Sequence, residues 1–283
     1  MNRIYPMDRV MSAYHGLLAI AWLVLYRDAW PLGLVLAAVH AGLAFLPRAL
    51  RALPDRLPAW AAALRLGYPA LSLFPLWSEL GFMHRLHLPP GHDATIARLD
   101  RSIFGVHWST AWRVAMPEGW LSETMHGLYL AYYLILVTPA LVAAVTRRGE
   151  AFRDISFRLM LTYTACFAAY VFFPVYGPRE THGAAMAAGG IFAPLMDRLF
   201  AAGDSPGTAF PSSHVAGAMT SAWVALRWLP RPVGAILLFG ATGVAFATVY
   251  TGNHYSIDAL TGLVFAAILQ TAVAPLFEKG ARS

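Results

Sequence analysis

Leu121-Ser-Glu-Thr-Met-His-Gly-Leu-Tyr-Leu-Ala-Tyr-Tyr-Leu-Ile-Leu-Val-Thr-Pro-Ala-Leu-Val-Ala-Ala-Val145 holds a single formally charged side chain, Glu123, near its start. A helix rises 1.5 Å per residue, so this stretch reaches about 37 Å, enough to cross the roughly 30 Å of hydrocarbon in a bilayer. Similar runs lie on both sides of it. Before it come Val10–Tyr26, Trp30–Leu46 and Leu66–Phe82; after it come Phe157–Val175, Phe210–Leu229, Val233–Tyr250 and Tyr255–Phe277. The expected fold is therefore all-α, a polytopic membrane bundle of about eight transmembrane helices.

Composition agrees with that reading. The chain has 283 residues, 58% hydrophobic and 13% charged, with a mean hydropathy of +0.53. Soluble domains carry about 25% charged residues. Half that value leaves too few charges to solvate a globular surface, so lipid has to cover much of it. Apolar runs extend from end to end, which implies one integral membrane domain, 1–283. Its parts are N-terminal helices (1–82), an interfacial segment (83–120) and a core (121–277).

Net charge is +6, and Lys279 is the only lysine among 21 basic residues. The arginines sit between apolar runs and not on one polar face, so nucleic acid is not an expected partner. With the N-terminus inside, Arg3, Arg9, Arg48, Arg51, Arg56, Arg65, Arg147, Arg148, Arg153, Arg158, Arg227, Arg231, Lys279 and Arg282 face the cytoplasm. That is 14 of 21 basic residues, a two-to-one bias in the direction the positive-inside rule requires. Both termini are then cytoplasmic, in a bacterial inner membrane, and most histidines fall on the outer side. No small-residue cleavage site follows the first apolar run, which is expected to stay as a helix. Cys166 is the only cysteine, so no disulfide forms within the chain. Ser102–Val114 reads as an amphipathic helix at the outer interface.

Three polar segments interrupt the apolar pattern at helix ends: Pro174–Arg179, Gly203–His214 and Gly252–Asp258. In the topology above they share the outer side, and ionisable residues at membrane depth point to function. His254 and Asp258 are four apart, hence on one helix face. A carboxylate there can hold the imidazole Nδ1–H and leave Nε2 as nucleophile. His214 follows Pro211-Ser212-Ser213, whose hydroxyls and N–H groups at a helix start suit an anion, and it can protonate a leaving oxygen. Arg179 offers a planar fork of donors for phosphate oxygens. Taken singly, each also fits a plainer role: a helix cap, an interfacial histidine, a surface arginine beside a headgroup. His84, His87 and His92 have spacings that zinc accepts but no accompanying carboxylate set, so no metal and no other cofactor is expected.

The three segments in this order resemble the type 2 phosphatidic acid phosphatase (PAP2) superfamily, over roughly Phe157 to Phe277. The resemblance implies a six-helix core. It also implies a phosphohistidine on His254, Asp258 orienting it, His214 as acid and then base, and Arg179 binding phosphate, beside the phosphate-binding site read from Ser212 and Ser213 at the helix start. Some positions depart from the family. Phe172 stands where the family has Lys, Ser213 where it has Gly, and Ala247-Thr248 where it has Ser-Arg; Arg179 is preceded by Pro178 and followed by Glu180. Tyr255 after His254, the run Phe173–Arg179 and Leu99–Gly105 look like the inositol phosphorylceramide synthase and sphingomyelin synthase branch. That branch implies transfer of a phospho-headgroup between membrane lipids. The alternatives are hydrolysis of a lipid phosphomonoester, or a non-catalytic transporter or scaffold. Donor and acceptor lipids, and oligomeric state, are not encoded in any readable pattern.

Overall fold

The computed structural model describes residues 5–26, 29–51, 58–86, 91–117, 119–179 and 190–279. Arg3, Arg56 and Arg282 of the basic set, together with His87, Glu180 and His182, lie outside the described residues.

The chain is all-α. Three long helices come first: α1 (Pro6–Val24), α2 (Leu32–Arg51) and α3 (Ala59–Leu86). Two short ones follow, α4 (Asp93–Phe104) and α5 (Trp108–Ala115). Then come α6 (Gly119–Val145), α7 (Gly149–Phe172), the short α8 (Phe192–Gly203), α9 (Ser213–Trp228), α10 (Arg231–Tyr250) and α11 (Ser256–Ile268). A π-helical turn, Leu269–Val273, leads into α12 (Ala274–Lys279). The expected amphipathic helix Ser102–Val114 is instead two helices, because α4 ends at Gly105, whose φ is 78°, and α5 restarts after His107.

Each of the eight expected spans overlaps a helix or, at the C-terminus, a run of helices. Among the described residues five are long and apolar enough to cross a membrane: Leu32–Leu50, Gly119–Val145, Gly149–Phe172, Arg231–Tyr250 and Ser256–Glu278. The others differ for visible reasons. Helix α9 has 16 residues, just under the usual spanning length of about 17–25. It is the inner helix, packed against α6, α7, α10 and α11. Ala216, Ala218, Ala222 and Ala225 are fully buried on it, and such small residues let neighbouring backbones approach closely. Helices α1, α2 and α3 share a polar cluster: His40 bridges His15 (2.9 Å) and Glu79 (2.6 Å), and Trp22 donates to Glu79 (2.7 Å).

The end of the bundle far from the polar segments is closed by Arg158, 3% exposed on α7. Its Nε donates to Asp154 (2.9 Å) and its Nη2 to Glu278 (2.6 Å); Nη1 reaches Gln270 Oε1 (3.2 Å). Gln270 stands on the π turn and donates to Thr162 (3.0 Å) and Thr220 (3.3 Å). The extra residue in a π turn re-aims a side chain that a regular helix would misdirect. Removing one partner of such a buried pair strands the other charge, at roughly 3–5 kcal/mol. Arg158→Met should therefore lower the unfolding midpoint in detergent clearly, and an unchanged midpoint would show that the network contributes little.

Candidate functional site

Helix starts place the polar segments. Ser212 is the N-cap of α9, its Oγ accepting from Val215 N–H at 3.3 Å. Side-chain oxygens at this position satisfy donors that an opening helix turn leaves bare. Asp258 sits at the third position of α11 and accepts Tyr255 N–H at 2.8 Å. The backbone carbonyl of Asp258 in turn accepts Ser212 N–H at 3.1 Å. The second and third segments are thus joined through one residue.

The side chains follow. His254 Nδ1 lies 3.5 Å from Asp258 Oδ2, and both residues are buried (4% and 0% exposed). At that distance the two face each other without a formed hydrogen bond. His254 Nε2 is 3.1 Å from Ser212 Oγ. Because Ser212 Oγ already accepts from Val215, its own proton is available to His254 Nε2. That leaves the Nε2 lone pair in use and the ring proton on Nδ1, toward Asp258. The ring of His214 stands edge-on to His254 with centroids 5.9 Å apart. Its Nε2 pairs with the Tyr129 hydroxyl at 3.0 Å, and the Tyr132 ring packs on it at 4.5 Å.

The first segment arrives by a short parallel bridge between Val175 and Thr208. Its turn touches the third segment at Gly177 (φ 89°), where a Cβ would lie 2.8 Å from Asn253 O. Only glycine allows both that φ and that approach. Arg179 follows, donating to Asp197 at 2.9 Å and stacking 4.5 Å over Phe200.

Arg179, His214 and His254 line one cleft, beside Tyr129, Tyr176 and Asn253. Asp258 stands directly behind His254. Ser212 and Ser213 are also behind the wall: Ser213 N–H donates to Tyr170 Oη (3.1 Å), and Tyr170 donates to Pro211 O (2.7 Å). The helix-start N–H of Ser213 is thereby taken.

Several supporting residues escape sequence reading. On α4, Asp93 accepts Tyr176 N–H (2.9 Å) and Gly177 N–H (2.8 Å), while Asp100 accepts Ile257 N–H (3.0 Å) and pairs with His107 (3.1 Å). Two aspartates seven apart share a helix face, which was the available signal. Tyr129 gave none, since a tyrosine in an apolar run reads as interfacial. From α3, His84 Nδ1–H donates to Pro206 O (2.6 Å) and Trp77 Nε1–H to Gly203 O (2.9 Å), pinning the loop before α9. His92 stacks on Phe173 with centroids 3.9 Å apart. Among the described residues no group of three or more His, Cys, Asp or Glu side chains is arranged to hold a metal.

No curated protein and no solved structure matches the chain. Residues 94–272 match the PAP2 superfamily, a stretch running from α4 through the π turn and covering more than half of the sequence. The convergence of the three polar segments on one cleft has its explanation in this match: the chain belongs to the PAP2 superfamily.

Proposed function

We propose that this protein is a membrane lipid phosphotransferase that moves a phospho-headgroup from one lipid to another through a phosphohistidine on His254. The observation that carries the reading is the line Asp258–His254, with His214 across the same cleft. His254 Nε2 attacks phosphorus, and the ester bond to the departing lipid alcohol breaks. Protonated His214 gives its proton to that oxygen. The acceptor hydroxyl then attacks phosphorus, His214 takes its proton, and the N–P bond breaks. Asp258 favours the ring proton on Nδ1 and offsets the charge that forms on the ring. Arg179 exchanges or shares its Asp197 partner with phosphate oxygens, and Ser212 and Ser213 shape the helix start behind them.

Transfer is favoured over hydrolysis by the cation count in the motifs. Phe172 is 54% exposed at the end of α7, and Thr248 is fully buried, so neither position supplies a charge. A phosphodiester carries one less negative charge than a monoester and needs fewer cations around it. The setting is in keeping with lipid substrates. Leu99 and Ile103 on α4, Trp108 and Val114 on α5, and Leu195 and Leu199 on α8 expose apolar surface. Such helices settle at a bilayer interface. In this reading all eight long helices cross the bacterial inner membrane, both termini are cytoplasmic, and the cleft opens outward.

Purified protein incubated with labelled lipid phosphodiesters and phosphomonoesters, with and without an acceptor alcohol, separates the outcomes. Acceptor-dependent diester formation is expected; inorganic phosphate released from a monoester would select the phosphatase instead. His254→Ala should lose turnover by at least about a thousandfold and all acid-labile label on the protein. Full activity in both His254→Ala and His214→Ala would sink the mechanism, and absence of both products from the parent protein would leave the transporter or scaffold reading. Asp258→Asn preserves shape but not charge, and its kcat should fall by about 10²–10⁴-fold with the unfolding midpoint little changed. A kcat within a few fold of the parent would remove Asp258 from the mechanism.

A further inference from the structure

Thr248 stands where the family's third motif carries its arginine, and its burial shows that the position now serves the backbone. Its Oγ1 donates to Ala245 O (2.9 Å), and its carbonyl accepts His254 N–H (3.1 Å). A cation nevertheless reaches the same segment from α5. The Arg113 guanidinium lies against Gly252, close enough that a Cβ built there would sit 2.9 Å from Nη2 and 3.2 Å from Cζ. Gly252 has φ 76°, so the absence of a side chain both permits the turn and opens the path for the guanidinium.

The approach of Arg113 is fixed on its own side. Nε donates to Ser109 O at 3.2 Å, aiming the fork away from the helix. Trp112 meets Phe246 and Tyr250 edge-on, with centroids 6.1 and 5.6 Å away, and Tyr250 donates to Met116 O at 2.9 Å. Helix α5 is therefore docked on α10 at the turn that leads to His254. Arg179 comes to the same run from the opposite element, its turn touching Asn253 O through Gly177. Arg179 lines the cleft beside Asn253 and His254, and Arg113 reaches the adjoining Gly252 from α5.

We propose that Arg113 is a phosphate-binding residue of the cleft, a cation carried by the interfacial helix α5 that takes the place of the one missing at Thr248 and acts together with Arg179. The proposal rests on the reading of the cleft as a phosphate site. Its ligand chemistry is the non-bridging oxygens of a phosphate ester, which guanidinium forks match in plane and charge. The electrostatics agree. Burial lowers the Arg113 guanidinium from its ordinary value, the Tyr250 phenol raises it, and the charge of Arg179 lowers it. Two cations that feel each other in this way are favoured once an anion sits between them. Two guanidiniums in place of the family's three cations also keep the site matched to a singly charged diester. Placing one of them on α5 couples phosphate binding to the docking of a helix that lies along the membrane surface.

The test uses the full-length protein in detergent or vesicles, with inorganic phosphate as the probe. Hydrogen bonds to charged groups are worth about 1.5–3 kcal/mol, so Arg113→Gln should raise the inhibition constant for phosphate and the KM for the lipid substrate by about tenfold or more. Arg113→Lys, which keeps the charge and loses the fork, should fall between. Phosphate should raise the unfolding midpoint of the parent and do so less in both variants. Combined with Arg179→Gln, the losses should be non-additive, because both side chains hold one group. An unchanged phosphate inhibition constant in the folded Gln and Lys variants, with His254→Ala still inactive, overturns the Arg113 assignment alone. Retained activity in His254→Ala with weaker phosphate binding in Arg113→Gln overturns the catalytic reading and leaves Arg113 as an anion ligand.

Discussion

The Asp258 carboxylate sits with no solvent exposure at the start of α11, and the layout of the cleft follows from how its charge is met. Burying an unpaired carboxylate in a low-dielectric bundle is prohibitive, so partners have to be supplied locally. The bare N–H groups and positive end of α11 provide part of the answer, and His254 provides the rest. The imidazole is held at Nε2 by Ser212 Oγ, with Nδ1 turned toward the carboxylate. Asp258 holds Ser212 through its backbone carbonyl, so α9 and α11 cannot shift independently. His214, one residue into the first turn of α9 beyond Ser213, is carried with them.

The elements outside this hinge act as braces. Helix α4 uses one face to hold both remaining parties, Asp93 on the Gly177 turn and Asp100 on the first turn of α11. From the N-terminal helices, His84 and Trp77 hold the loop that enters α9. These contacts explain why a short amphipathic segment and an N-terminal helix lying before the matched stretch belong with the core: each supplies hydrogen-bond partners to buried backbone that has no helical bonds of its own. The opposite end of the bundle obeys the same rule with Arg158, Gln270 and the π turn.

The changes at the motif positions make chemical sense when taken together. Phe172 faces outward and is exposed, whereas Thr248 faces inward and is absorbed into packing through its bond to Ala245 O. The cations near the cleft now come from a turn and from an interfacial helix. In the proposed function, a site assembled in this way binds its anion at the seam between the bundle and the membrane surface, where a lipid headgroup resides and its chains stay in the bilayer.

Sequence alone determined the class of fold, because too few charges and repeated runs like Leu121–Val145 leave no soluble solution. It also named His214, His254, Asp258 and Arg179, since polar residues at the ends of apolar runs stand out and their order matches a family. The four-residue spacing placed His254 and Asp258 on one face without any tertiary information. Sequence could not separate α4 from α5 within Ser102–Val114, nor foresee that Ser213 would spend its N–H on Tyr170. It was silent on Tyr129, Asp93, Asp100 and Arg113, whose significance comes from partners far along the chain. Only the packing of α6 on α9, of α4 on the Gly177 turn and the start of α11, and of α5 on the end of α10 brought those contacts together, because hydrogen bonds and charge proximity depend on distance in space, and spacing along a helix reports only the neighbours on the same helix.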